Sequence, residues 1–189
     1  MIRANIPPHL KVSEEQFELL AIANRDLRLE RKYDGELIIM PPTGSETGNK
    51  NGRIFGQLFI WNDLENLGLV FDSSTGFRLP NGAIKSPDAS WVSKSKWDSL
   101  TPEQKQKFAP ICPEFVIELR SPGDRLNTVR EKMSEYINQG SLLGWLIDPI
   151  EKKVEIYRQG KDKEILSNPS NLSGENILPG FNLDLSKIL

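Results

Sequence analysis

Two acidic residues lie where the core of a soluble protein would not normally accommodate them. Asp88 enters the apolar run of SPDASWV, and Glu118 lies inside the apolar run FVIEL. A carboxylate in an apolar strand costs several kcal/mol unless a charge or a metal ion compensates it. Two such acids on neighbouring strands can point at one spot. This arrangement is typical of a divalent-metal site.

The composition restricts which metal such a site could hold. The chain contains one cysteine, Cys112, and one histidine, His9. These two residues exclude an intrachain disulfide framework and a classical zinc site. The metal must therefore be held by oxygen ligands, which favours Mg²⁺ or Mn²⁺.

Cleavage of a phosphodiester is a reaction that uses such a site. Carboxylates hold metal ions, which activate a water and neutralise charge on the scissile phosphate. A cation near the attacking water also helps, and the sequence offers two. Arg120 follows Glu118 by two residues and so shares its strand face, and Lys132 flanks the apolar stripe of the next helix. Glu46, at the start of the long second helix, is a candidate third carboxylate.

Length and composition are those of an ordinary soluble protein. The chain has 189 residues, of which 38% are hydrophobic and 26% charged, and its net charge is −2. We expect a single domain over residues 1–189. No apolar run approaches the roughly 18 residues that span a bilayer, and the start lacks an apolar signal core, so we expect no membrane partner and a cytoplasmic location. DNA binding would require a local basic groove, because the chain is not globally basic.

Helical spacing and turn signals predict a mixed order of elements. We expect helices at about 13–25, 45–67 and 124–139, and a helical insertion at about 94–110. LRLERKY and ELIIM form a predicted hairpin around Asp34-Gly35, and LGLVFD, GFRLP and AIKSPDASWV a predicted meander of three strands. FVIEL, LLGWLIDP, KVEIYR, KEILS and the region around ILPGFNLDL supply the remaining strands. This order predicts a mixed α/β domain.

A series of motifs resembles a known nuclease family. Pro87-Asp88 is followed by Glu118-Leu119-Arg120-Ser121-Pro122, then by Lys132, Tyr136, Gly140 and LLGWLIDP. Together these resemble the cyanobacteria-rich putative restriction endonuclease family, the Uma-type branch of the PD-(D/E)xK nuclease superfamily. The Pro-Asp and Glu-x-Arg signals are weak singly and fairly specific in combination. The resemblance extends from the first helix to the LPGF near the C-terminus.

The resemblance implies a restriction-endonuclease-like core, with a central mixed β-sheet flanked by helices, and Mg²⁺-dependent hydrolysis of DNA. It makes Asp88 and Glu118 metal ligands and Glu46 a helix-borne acid. Arg120 stands in place of the superfamily's strand lysine. An arginine stabilises phosphate charge but cannot act as a base, so Lys132 is the candidate for a migrated amine. Cutting both strands of a duplex usually takes two active sites, which makes a homodimer a reasonable expectation.

Each candidate residue also has a purely structural interpretation. Asp88 could cap a strand, Glu118 could form a buried salt bridge with Arg120 or Lys132, and Glu46 could stabilise the first turn of its helix. Tyr136 is expected in the core with its hydroxyl at the rim, and Asp148 in a turn. The alternative function is a catalytically inactive nuclease-like domain that acts as a binding or regulatory module. A third interpretation is a structural protein with a buried Glu118–Arg120 ion pair.

Overall fold

The protein is described by a computed structural model, which covers residue 7 and residues 9–189. The helices are α1 (Glu14–Ala23), α2 (Ser45–Glu65), α3 (Lys94–Asp98), α4 (Pro102–Lys105) and α5 (Leu126–Asn138). The strands are β1 (Arg28–Arg31), β2 (Leu37–Met40), β3 (Gly68–Asp72), β4 (Phe77–Arg78), β5 (Ile84–Lys85), β6 (Ala89–Ser93), β7 (Phe115–Leu119), β8 (Leu143–Asp148), β9 (Lys153–Arg158), β10 (Glu164–Ser167), β11 (Asn171–Ser173) and β12 (Asn182–Asp184).

The centre of the fold is a six-stranded mixed sheet with the order β10-β9-β8-β7-β6-β3. Strands β7 and β8 are parallel, and α5 lies in the crossover between them. The other neighbours in this sheet are antiparallel. A mixed central sheet flanked by helices confirms the predicted fold class.

Helices cover both faces of the central sheet because side chains alternate along its strands. On one face, Trp145 of β8 packs with Leu58 and Trp61 of α2 and with Phe181 near the C-terminus. On the opposite face, apolar residues of β7 and β8 pack against Met133 and other residues of α5. Glu118 belongs to this second face. None of the helices in the described part of the chain is long and apolar enough to cross a membrane.

A second sheet, with the order β2-β1-β5-β4, lies beside the central one. The predicted hairpin of β1 and β2 is confirmed, although its ladder ends at Arg31 and Leu37 and so leaves a longer turn than two residues. The predicted three-stranded meander is wrong. Strand β3 pairs with β6 in the central sheet, whereas β4 and β5 pair with each other in the second sheet. Pro87 has no N–H for a ladder, and the chain passes from one sheet to the other there.

Local capping explains where several helices begin. The predicted capping boxes at Ser13 and Thr101 are both present. The expected helical insertion contains two short helices, α3 and α4, because Ser93 caps the first and Thr101 starts the second. Helix α5 starts at Leu126, two residues later than predicted, because the Asp124 carboxylate accepts a hydrogen bond from Ser121 N and closes the preceding turn.

Candidate active site

The residues predicted to carry chemistry line one cleft of about 1420 Å³. Its walls come from β1, β2 and β5, the first turns of α2, the adjoining ends of β6 and β7, and α5. Asp88, Glu118, Arg120, Lys132 and Glu46 all contribute to this lining. The fold therefore brings all five predicted residues to one cleft.

The register of the central sheet places Asp88 beside Glu118. Strands β6 and β7 are antiparallel, with Ala89 opposite Ile117. Asp88 immediately precedes β6, so it lies next to Glu118 across the ladder. Its Oδ2 atom accepts a hydrogen bond from Leu119 N at 2.9 Å. The prediction that the two acids lie on neighbouring strands is confirmed.

Lys132 reaches from α5 to the same spot. Its Nζ atom lies 2.8 Å from Glu118 Oε1 and 2.8 Å from Glu30 Oε1, and it donates to Ser86 O at 3.1 Å. Tyr136, one turn further along α5, is fully buried, and its hydroxyl donates to Glu118 Oε1 at 3.1 Å. The amine of Lys132 therefore points inward, as the helical pattern predicted.

Two residues of this cluster, Glu30 and Lys85, were not among the sequence-based candidates. Glu30 on β1 is buried, and it accepts a hydrogen bond from Ser86 N at 3.0 Å. Lys85 on β5 lies 3.4 Å from Glu30 Oε2. The only indication in the sequence was that each of these charged residues lies inside a strand-like segment. The pairing of β1 with β5, which brings them together, cannot be read from either segment alone.

Burial and charge set the protonation behaviour of the cluster. Burial and the nearby charges of Asp88 and Glu30 raise the pKa of Glu118 to about 8, although the Lys132 ammonium opposes this shift. Burial likewise raises the pKa of Asp88, although Lys132 and the Leu119 amide oppose it. Burial alone would lower the pKa of Lys132, but Glu118 and Glu30 raise it above its usual value. Lys132 is therefore a cation, and the cluster favours additional positive charge beside its acids.

Arg120 lies on the cleft wall but is not paired with Glu118. It follows the last residue of β7, and its Nη1 atom donates to Asp148 Oδ2 at 2.7 Å. Asp148 also accepts hydrogen bonds from Ile150 N and Glu151 N, as a turn residue would. The Glu118–Arg120 ion pair of the structural interpretation is wrong, because Lys132 is the cation that contacts Glu118.

Glu46 lies at the mouth of the cleft, apart from Asp88 and Glu118. Its side chain is 84% exposed and pairs with Lys50 at 3.0 Å, one turn further along α2. Within residues 9–189, no three His, Cys, Asp or Glu side chains come together as a metal-binding group. The structure thus brings Asp88 and Glu118 together without Glu46, whose place as a third ligand stays a prediction.

The donor atoms around Asp88 suit a hard divalent cation. Asn51 on α2 donates through Nδ2 to Asp88 Oδ1 at 3.3 Å. Its own Oδ1 atom is buried and has no hydrogen-bond partner among the described residues. An orphaned amide oxygen beside the carboxyls of Asp88 and Glu118, both of raised pKa, provides oxygen ligands and a deficit of positive charge. The residues present therefore fit Mg²⁺ or Mn²⁺.

Comparisons with known proteins agree with this fold. The model of a family named Uma2, described as "Putative restriction endonuclease", matches residues 14–186. The fold is similar to the crystal structure of a putative nuclease belonging to DUF820 from Anabaena variabilis, with a TM-score of 0.77 and 19% sequence identity, over 94% of this chain and 97% of that chain. No curated protein matches the chain.

Proposed function

Because this chain belongs to the Uma2 family of putative restriction endonucleases, we propose that it is a metal-dependent endonuclease that hydrolyses DNA phosphodiester bonds. The observation that carries this proposal is the 2.8 Å contact between Lys132 Nζ and Glu118 Oε1, beside Asp88. It places a permanent cation next to two acids in an open cleft. Phosphodiester hydrolysis needs these groups close together.

In this proposal, Asp88 and Glu118 hold Mg²⁺ or Mn²⁺, and Asn51 Oδ1 provides a further oxygen nearby. When bound, such a cation neutralises charge on the phosphate and lowers the pKa of a water. Glu46 at the cleft mouth is the proposed third acid. Its exposed pair with Lys50 must open before it can act in this way.

The protein's own cations have separate roles. Lys132 is held between Glu118 and Glu30, so its ammonium is fixed where it can orient the attacking water and stabilise charge on the phosphate. Arg120 is proposed to contact the phosphate from the cleft wall, because Asp148 engages only part of its guanidinium. Tyr136 fixes the Glu118 carboxyl by its hydrogen bond.

The cleft also offers groups for the DNA backbone. Arg28, Lys32, Lys50 and Lys85 line it in addition to Arg120 and Lys132. Nine acidic side chains line the same cleft, so we propose that the DNA contacts are made by these individual cations and not by a basic surface. We further propose that residues 1–189 act as one domain with α3 and α4 as its insertion, and that the protein acts in the cytoplasm, where its proposed substrate is found.

A plasmid-nicking assay with Mg²⁺ and with Mn²⁺ tests the proposal. Wild type is compared with Asp88→Asn and Glu118→Gln, and Asp98→Asn, at an exposed position of α3, serves as the matched control. We expect metal-dependent nicking by wild type and the control, and a loss of at least about 10³-fold in both site variants. Equal nicking by the site variants would refute the assignment of these acids.

A parallel Mn²⁺ titration by calorimetry separates binding from cutting. We expect Asp88→Asn and Glu118→Gln each to weaken Mn²⁺ binding, and Glu46→Gln to show whether Glu46 is a ligand. If folded wild type binds DNA but neither binds Mn²⁺ nor nicks plasmid, the alternative function, a non-cutting nuclease-like module, is the correct one. The presence of Arg120 in place of a strand lysine is the feature that motivates this alternative.

A further inference from the structure

The side of α2 that faces away from the core carries large apolar side chains. Ile60 is 63% exposed and Leu64 79%, while Phe59 and Leu67 are 49% and 41% exposed. The buried residues of α2 lie on its opposite side, so Phe59, Ile60 and Leu64 do not attach the helix to the sheet, and Leu67 follows just after the helix ends at Glu65. A contiguous apolar surface of this kind marks a contact with another protein.

Two glycines on the same outer side provide depressions in this surface. At both Gly52 and Gly56, an added β-carbon would meet no atom within 4 Å. Glycine weakens a helix interior, so packing within the chain gives no reason for either residue. A neighbouring helix can approach the backbone closely at these positions, because no side chain stands in the way.

This outer side is complementary to itself when two α2 helices pack antiparallel. If the helices cross near Leu58, Gly56 lies level with the partner's Ile60, and Gly52 lies level with the partner's Leu64. Ile60 then lies against the depression at the partner's Gly56, whereas Leu64 lies to one side of the partner's Gly52, because residues twelve apart in a helix differ by about 120° in direction. Two-fold symmetry forms every such contact twice, as in other isologous dimers.

The charges on this side select the antiparallel orientation. In the same arrangement, Arg53 lies level with the partner's Asp63. Among the described residues, neither side chain forms an ion pair within its own chain, and Arg53 Nε donates to the Asn49 side chain at 3.0 Å. In a parallel arrangement each residue would lie level with its own copy, which places like charges together.

We infer that the outer side of α2 joins two copies of this chain into an antiparallel dimer. The contact surface, here called the α2 face, consists of Gly52, Arg53, Gly56, Phe59, Ile60, Asp63, Leu64 and Leu67. The α2 face is separate from the cleft, which α2 lines only through its first turns. The dimer therefore does not depend on nuclease activity, and both clefts stay open in it.

Sedimentation velocity of the full chain, from roughly 1 to 100 µM, tests this inference. We expect wild type to sediment as a dimer at the upper concentrations. Ile60→Glu combined with Leu64→Glu places charge at the centre of the α2 face and should give a monomer. The matched control is Ile150→Glu combined with Ile165→Glu, which changes two other exposed isoleucines, 53% and 50% exposed, and should leave the dimer intact.

Charge exchange tests the orientation with variants that alter only exposed positions. Arg53→Asp and Asp63→Arg should each raise the dissociation constant at least about tenfold, and the double variant should restore it to near the wild-type value. A wild-type monomer at all concentrations would overturn the inference. A dimer that persists in the double glutamate variant, or no recovery in the charge-exchanged protein, would also overturn it.

Discussion

Lys132 Nζ lies 2.8 Å from Glu118 Oε1, although one residue lies on a helix and the other on a strand of the central sheet. Lys132 also contacts Glu30 in the second sheet. The same ammonium therefore links α5, the central sheet and the second sheet. Its removal should affect both stability and catalysis.

We first predict that Lys132→Gln is destabilising and nearly inactive. It leaves Glu118 and Glu30 buried without their ammonium, which should lower the free energy of unfolding by about 3 kcal/mol. Nicking should fall by about 100-fold, because the cation proposed to stabilise the phosphate is lost. Urea denaturation and the plasmid assay measure the two effects. Lys153→Gln, which breaks only an exposed pair with Glu151, is the control and should change stability by less than about 0.5 kcal/mol.

The second prediction concerns Arg120, which pairs with Asp148 rather than with Glu118. Arg120→Gln should reduce nicking by about tenfold, less than Lys132→Gln, because the arginine is proposed to contact the phosphate only from the cleft wall. Arg120→Lys should stay close to wild type, since a lysine there can also reach Asp148. Single-turnover rates of the three variants give the order. The double variant Arg120→Lys with Lys132→Gln gives the contrary outcome. If it recovers the activity that Lys132→Gln loses, the strand position supplies the catalytic amine and Lys132 does not.

The third prediction concerns Glu30 as a positioning residue for Lys132. Burial alone would raise the pKa of Glu30, but Lys132 and Lys85 together lower it, so the carboxylate is charged and holds both lysines. Glu30→Gln removes that charge and should cost about 1 to 3 kcal/mol of stability. Nicking should fall by about tenfold, whereas Mn²⁺ affinity should change little, because Glu30 is not a proposed ligand. A loss of Mn²⁺ binding as large as in Glu118→Gln would contradict the positioning role.

Glu118 could be predicted because it conflicts with its own segment. It interrupts an apolar strand and so stands out without knowledge of the fold, whereas Lys132 was a candidate only as a cation beside an apolar helical stripe. The mixed α/β class follows from the same periodic patterns. Local patterns also identified the helix caps at Ser13 and Thr101, because a capping box involves residues only three positions apart.

What could not be predicted depends on contacts between distant segments. Glu30 and Lys85 are separated by more than fifty positions, and only the β1–β5 pairing makes them neighbours. Arg120 was expected near Glu118 from strand alternation, but β8 places Asp148 beside it instead. The prediction of a three-stranded meander was wrong for the same reason. A short strand such as β5 cannot indicate from its own sequence which sheet it joins.

A last prediction concerns acid stability and involves a cluster remote from the cleft. Glu155 on β9 is buried, and it accepts hydrogen bonds from Arg130 Nε at 2.9 Å, Tyr157 Oη at 2.6 Å and Lys163 Nζ at 2.9 Å. Burial alone would raise its pKa, but these three partners outweigh it and lower the pKa from 4.5 to about 2. The charged form is therefore the one that stabilises the folded state.

Because the folded pKa is lowered, this stabilisation is fully present above the unfolded pKa of 4.5 and is lost as the pH falls towards about 2. We expect wild type to lose about 2 kcal/mol more stability than Glu155→Gln over that interval, measured by urea denaturation at a series of pH values. Glu164→Gln alters an exposed partner of Arg158 and should keep the wild-type pH dependence. A wild-type acid transition parallel to that of Glu155→Gln would show that the pKa of Glu155 is not lowered in the folded protein.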